Sequence, residues 1–115
     1  MPLIIYHNPR CSKSRQTLAL IEEAGIEVET IRYLEDPLSA AQIIELREKL
    51  GVSSVRDFMR KGEAIYKELG LGEVSDEAAL IAAMAQHPKL IERPIVVKGE
   101  TAILGRPPEN VTVFL

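Results

Sequence analysis

One cysteine stands in this chain of 115 residues, and its neighbours are those that would make a sulfur reactive. Tyr6-His7-Asn8-Pro9-Arg10-Cys11-Ser12-Lys13-Ser14-Arg15 follows a short apolar run and leads into a helical pattern. Cys11 is therefore expected at the N-terminus of the first helix. There the first-turn N–H groups lack a carbonyl one turn back and carry partial positive charge, which favours an anion. Arg10, Lys13 and Arg15 add cationic charge. A free thiol titrates at about 8.5, and about 2.7 kcal/mol of preference for the thiolate lowers that midpoint by two pH units. The expected chemistry is that of a nucleophilic thiolate. A buried, inert cysteine is the alternative, but the polar loop argues against it.

Further groups could serve that sulfur. His7 could support the thiolate or close the strand with its ring packed in the loop. Ser14 could donate a hydrogen bond to the sulfur or be an ordinary first-turn serine. Arg60 stands two residues before Gly62, while Arg93 and Arg106 directly precede Pro94 and Pro107, so each arginine lies at a loop or an element's end. Arginine's planar fork of donors suits a tetrahedral oxyanion. Taken with the cysteine loop, the three form a candidate anion site; taken singly, each reads as a solvated surface residue. His87 reads as a helix-end residue, and no cluster has metal-ligand spacing.

The elements that must position these groups can be read in order. Leu3-Ile4-Ile5-Tyr6 is a β-favouring run ended by Asn8-Pro9. Leu18, Ile21 and Ala24 give the first helix its stripe, and Gly25 its stop. The alternation from Ile26 to Leu34 reads as a second strand, so a right-handed βαβ unit with parallel strands is expected. Ser39-Ala40-Ala41-Gln42 matches a capping box, opening a helix with Ile43, Leu46 and Leu50 that stops at Gly51. A shorter helix is expected from Ser54 to Gly62, another from Ala64 to Leu69, and one capped by Ser75 or Asp76 that ends at His87-Pro88. Arg93 to Val97 reads as a third strand and Thr101 to Leu104 as its antiparallel partner across Lys98-Gly99-Glu100. Gly105 to Asn110 leads into a short C-terminal helix or coil.

The fold class is α/β: a thioredoxin-like four-stranded mixed sheet with a helical insertion between the second and third strands. In that architecture a proline opening the third strand is commonly cis and faces the cysteine. Pro94 fits the position, with a trans strand-entry proline the other possibility. The length suits one domain over residues 1–115. The composition is 46% apolar and 27% charged with net charge −3, which leaves no basic footprint for nucleic acid. No apolar run nears 18 residues and Met1-Pro2-Leu3-Ile4-Ile5 lacks a basic flank, so no membrane span or leader is expected. A lone cysteine cannot form an internal disulfide, which fits a reducing cytoplasm.

The chain resembles the glutaredoxin-dependent arsenate reductase family, which also includes Spx-like proteins. The resemblance rests on the Tyr6–Arg15 loop, Leu34-Glu35-Asp36-Pro37, Arg60-Lys61, Tyr66-Lys67-Glu68-Leu69-Gly70-Leu71, His87-Pro88, Ile91-Glu92-Arg93-Pro94-Ile95-Val96-Val97 and Gly105-Arg106-Pro107. It is to the short chromosomal type, which lacks the longer C-terminal tail of plasmid-type members. The resemblance implies that Cys11 attacks arsenate, that His7 assists thiolate formation and that Arg60, Arg93 and Arg106 bind the oxyanion, with Ser14, Arg15 and Pro94 in support. It further implies glutathione as co-substrate, glutaredoxin as partner and arsenite as product; no bound cofactor or metal is expected, and a monomer is expected. One sulfur cannot complete a two-electron reduction by thiols, which agrees with outside thiols. Two other functions compete: a glutathione-linked thiol transferase, and an Spx-like regulator that binds RNA polymerase. The latter typically carries Cys-x-x-Cys, whereas this chain has Cys11-Ser12-Lys13-Ser14.

Overall fold

The apolar run at the start of the chain forms β1 (Leu3–Tyr6), an inner strand of a four-stranded sheet in the order β2-β1-β3-β4. The structure is a computed structural model and describes residues 2–115. After β1 come α1 (Ser12–Glu23) and β2 (Val28–Ile31), which runs parallel to β1 with Leu3 opposite Val28 and Tyr6 opposite Ile31. This is the expected βαβ unit. β3 (Ile95–Lys98) pairs antiparallel with the other edge of β1, Ile5 opposite Val96, and β4 (Thr101–Leu104) pairs antiparallel with β3.

Backbone contacts divide the chain into two units: the residues up to Asp36 together with Arg93–Leu115, and Pro37–Glu92. The first unit holds the sheet. Its core is Leu3, Ile5, Ile21, Val96, Val111 and Phe114, all buried. Val111 and Phe114 come from the 3₁₀ helix Pro108–Phe114, which settles the choice of helix or coil and has proline at its first position.

The second unit is the helical insertion. Here α2 (Ala40–Leu50) opens with the expected reciprocal capping box between Ser39 and Gln42 and ends at Gly51, whose φ of +72° suits a residue without Cβ. It packs against α4 (Glu77–Gln86), capped by Asp76. Between them lie a 3₁₀ turn (Val55–Phe58), α3 (Ala64–Glu68) and a second 3₁₀ turn (Leu71–Glu73). Glu77 ties the unit together. It accepts from the Ser54 hydroxyl at 2.7 Å, the Val55 N–H at 2.9 Å and Arg47 at 2.9 Å. Arg56 donates to the Tyr66 hydroxyl and to the carbonyls of Leu71 and Val74.

Three expectations need correction. The second strand stops at Ile31 rather than Leu34. Its partner β1 ends before Asn8-Pro9, and the last rung is the His7 N–H to the Ile31 carbonyl at 2.8 Å. The chain then turns, with the N–H groups of Glu35 and Asp36 bonded to the Arg32 carbonyl. The helix expected up to Gly62 is a single 3₁₀ turn. Met59 is extended because it is bridged antiparallel to Ile91, flanked by Arg60 N–H to Leu90 at 2.7 Å and Glu92 N–H to Phe58 at 2.9 Å. The inward stripe of α1 is Ser14, Thr17 and Ile21, with Leu18 half-buried and Ala24 exposed. Two polar residues face inward there because each has a hydrogen-bond partner.

Candidate functional site

Cys11 caps α1 with extended backbone (φ −92°, ψ 124°), so its side chain stands at the open end of the helix. It is partly exposed and its thiol is free. The preceding loop is fastened at several points. The Cys11 N–H donates to the Asn8 carbonyl at 3.0 Å, and the Arg10 N–H to Asn8 Oδ1 at 3.0 Å. Arg15 Nη1 donates to the Pro9 carbonyl at 3.0 Å. Asn8 N–H donates to Ser14 Oγ at 3.1 Å. The sulfur is thus held by a loop pinned to its own helix.

Ser14 does not serve the sulfur directly. It is fully buried and its hydroxyl lies 2.6 Å from His7 Nδ1. Ser14 Oγ accepts from the Asn8 N–H and shares a hydrogen bond with His7 Nδ1, so one hydroxyl ties the loop backbone to the imidazole. His7 is 5% exposed. Burial lowers its pKa, the charges of Arg32 and Arg15 lower it further, and Glu22 opposes them. The ring is therefore a neutral member of the loop's hydrogen-bond network, not a second cation beside Cys11. It also lines an open groove of about 560 Å³ with Glu29, Arg32, Glu35 and Asp36.

The arginine whose guanidinium reaches the sulfur is Arg106. Its Nη1 lies 3.9 Å from Cys11 Sγ and 3.2 Å from the Arg93 carbonyl, to which it donates. Arg93 thus meets Arg106 through its backbone. The Arg93–Pro94 peptide is cis, the first of the two isomers considered for it, and Arg106–Pro107 is cis as well. Pro94 is buried against Gly105: a Cβ added to Gly105 would come 2.7 Å from Pro94 Cγ and 2.7 Å from Thr17 Oγ1. The Gly105 N–H donates to the Pro94 carbonyl at 2.9 Å. Thr17 on α1 shares its hydroxyl proton between the Lys13 carbonyl at 2.8 Å and the Gly105 carbonyl at 3.3 Å. Helix, strand entry and the Arg106 loop therefore meet at a position where only glycine fits.

Arg60 belongs to the other unit and is already engaged there. Its Nε lies 3.2 Å from Glu63 and its Nη1 3.0 Å from Glu92. Any anion bound by Arg60 competes with these two carboxylates. Among the described residues no group of three or more His, Cys, Asp or Glu side chains could hold a metal ion, and no helix is long and apolar enough to cross a membrane.

Of the residues singled out in the sequence, the structure brings Cys11, Arg93, Pro94 and Arg106 together; Thr17 and Asn110, which hold the carbonyls around Gly105, were not singled out. The signal for Thr17 was its spacing with Ser14 and Ile21, which puts all three on one helical face. The arrangement sets a free thiol at a helix N-terminus with a guanidinium beside it, and guanidinium groups suit oxyanions.

The same elements recur in known proteins. The ArsC family model matches residues 6–114, a span that takes in the cysteine loop, Arg106 and the last helical turns. A protein of Escherichia coli strain K12, named YfgD and described as uncharacterized, is 56% identical over 108 residues, covering 93% of this chain and 91% of that protein. A Neisseria meningitidis protein named arsenate reductase is 48% identical over an alignment of 117 positions that covers both chains in full. A solved structure named arsenate reductase from Vibrio cholerae superposes with a TM-score of 0.96 at 53% identity, covering 100% of this chain and 98% of that one. The thioredoxin-like sheet, the cysteine-capped helix and these whole-length matches have one meaning: the chain belongs to the ArsC family.

Proposed function

We propose that this protein reduces arsenate to arsenite, with Cys11 as the nucleophile and outside thiols as the reductant. The observation that carries the reading is the placement of Arg106 Nη1 3.9 Å from the sulfur of Cys11, at the open end of α1. The names of the Neisseria and Vibrio relatives supply the substrate. The helix end and the guanidinium attract a tetrahedral dianion to the nucleophile.

The reaction balances as follows. Cys11 sulfur bonds to arsenic(V) and an arsenate oxygen leaves as water, taking up protons. Glutathione adds its sulfur to the same arsenic and releases a second water. A glutaredoxin thiolate then attacks the glutathione sulfur, and the sulfur–arsenic bond breaks with its electron pair remaining on arsenic. Arsenic is now arsenic(III), and the two outside thiols have become one mixed disulfide. Water displaces Cys11 from arsenic, returning the thiol and releasing arsenite. Cys11 ends each cycle unoxidised, which suits a chain with one cysteine. Arg106, and with it Arg93, holds the oxyanion.

NADPH consumption with arsenate, glutathione, glutaredoxin and glutathione reductase tests the reading, with Cys11→Ser as the blank. Turnover that depends on Cys11 and on both outside thiols is expected. A folded protein without turnover would overturn it.

A further inference from the structure

Arg106 sits in a corner between β4 and the terminal 3₁₀ helix, and one side chain braces both sides of that corner. Asn110 Nδ2 donates to the Leu104 carbonyl at 3.2 Å and to the Arg106 carbonyl at 3.1 Å. An amide nitrogen carries two hydrogens, so both are used. The Asn110 backbone N–H donates to the Pro107 carbonyl at 3.0 Å. The braced carbonyls flank Gly105, whose own carbonyl accepts from Thr17 Oγ1 at 3.3 Å. Asn110 is exposed and contributes nothing to the apolar core, where Val111 and Phe114 do that work. A helix-turn residue needs no side-chain amide for its own backbone, yet this one spends both donors on the Arg106 corner.

We propose that Asn110 is a positioning residue for Arg106: by bracing the Leu104 and Arg106 carbonyls it holds the guanidinium against the sulfur of Cys11. This rests on reading Cys11 and Arg106 as the reaction centre. Without the brace the corner keeps its strand and its core contacts, but the Arg106 backbone from which the guanidinium reaches the Arg93 carbonyl and the sulfur is no longer held. The guanidinium then samples rotamers away from Cys11, and arginine side chains have many.

The test uses Cys11 itself as the probe and needs no arsenate. Alkylation by anionic iodoacetate is compared with alkylation by neutral iodoacetamide, each followed by mass spectrometry as a second-order rate constant. The chain has one cysteine, so every adduct reports the same sulfur. A cation about 4 Å away favours the anionic reagent by about fivefold in water-like surroundings. Arg106→Ala is expected to lower the iodoacetate-to-iodoacetamide ratio by about that factor. Asn110→Ala, which adds no charge, is expected to lower it by at least about twofold, and the double variant should match Arg106→Ala alone. Should Asn110→Ala not fold, Asn110→Ser, which keeps a single donor, takes its place in the same cycle. An unchanged ratio in the Asn110 variant beside a fallen ratio in Arg106→Ala overturns the proposal and leaves the reaction centre standing. An Asn110 effect that persists undiminished in the Arg106→Ala background overturns it too, because Asn110 would then act elsewhere. An unchanged ratio in Arg106→Ala overturns both the proposal and the reading beneath it.

Discussion

Gly105→Ala is the sharpest perturbation of the corner that brings the Arg106 loop to the cysteine helix. The new Cβ would lie 2.7 Å from Pro94 Cγ, 2.7 Å from Thr17 Oγ1 and 3.0 Å from Thr17 Cγ2. Gly105 does not have positive φ, so alanine suits its backbone and the cost is steric alone. None of the neighbours moves easily. Pro94 is a buried ring, and Thr17 is fully buried, β-branched and inside a helix, where its rotamers are few. The backbone cannot retreat without lengthening the 2.9 Å bond from the Gly105 N–H to Pro94. Overpacking of this kind costs about 1–3 kcal/mol. With an unfolding entropy of about 2.1 cal/mol/K per residue, a chain of this length should lose about 4–12 °C in Tm. Calorimetry gives the number, and a cycle with Thr17→Ala gives the cause. Removing Oγ1 and Cγ2 clears two of the three contacts, so Gly105→Ala should cost less in that background by at least about 0.5 kcal/mol. A neutral Gly105→Ala, or an equal cost in both backgrounds, would refute the close-packing argument.

Other outcomes follow from the same geometry. Ser14→Ala leaves the His7 ring and the Asn8 N–H without their hydroxyl, and should destabilise the protein by about 1–3 kcal/mol in urea melts. Protonation of His7 favours the unfolded chain, because its folded pKa lies below the ordinary 6.5. Stability should therefore fall as pH drops below 6.5 toward that lowered value, and His7→Gln should flatten that part of the profile. For Glu77, burial opposes ionisation but the Val55 N–H, the Ser54 hydroxyl and Arg47 outweigh it, leaving the folded pKa below the ordinary 4.5. Its stabilising effect is complete above 4.5 and is lost as pH falls through the lowered value, so Glu77→Gln should remove that acid-side slope in pH-dependent melts. Gly51→Ala places a Cβ at φ +72° where nothing crowds it, so about 1 kcal/mol of backbone cost is expected in the same melts.

The parts of the fold that were legible in the sequence are those set by local chemistry. Asn8-Pro9 had to end a strand, Ser39 and Gln42 had to cap a helix, and Gly51 had to end it; all three did. The alternation from Ile26 to Leu34 misled because strand length is set by the partner, and β1 stops at Tyr6. Met59 left its helix for a bridge to Ile91, thirty-two residues away, a pairing that local propensity cannot register. The site divides in the same way. Cys11 and Arg106 were visible as residue types beside backbone-constraining neighbours. That Ser14 would turn to His7, and that Thr17 would hold the Gly105 carbonyl while Asn110 holds those of Leu104 and Arg106, depends on contacts made only after the sheet has closed.

The central claim is that Cys11 moves electrons from outside thiols to arsenic without being consumed. Chromatographic separation of arsenate and arsenite, after incubation of the protein with arsenate, glutathione and glutaredoxin, measures that step itself. The account predicts arsenite in step with mixed disulfide, one for one, with no arsenite from Cys11→Ser or when either thiol is omitted. Arsenite formed at an unchanged rate by Cys11→Ser, or by the native protein without any outside thiol, would contradict it.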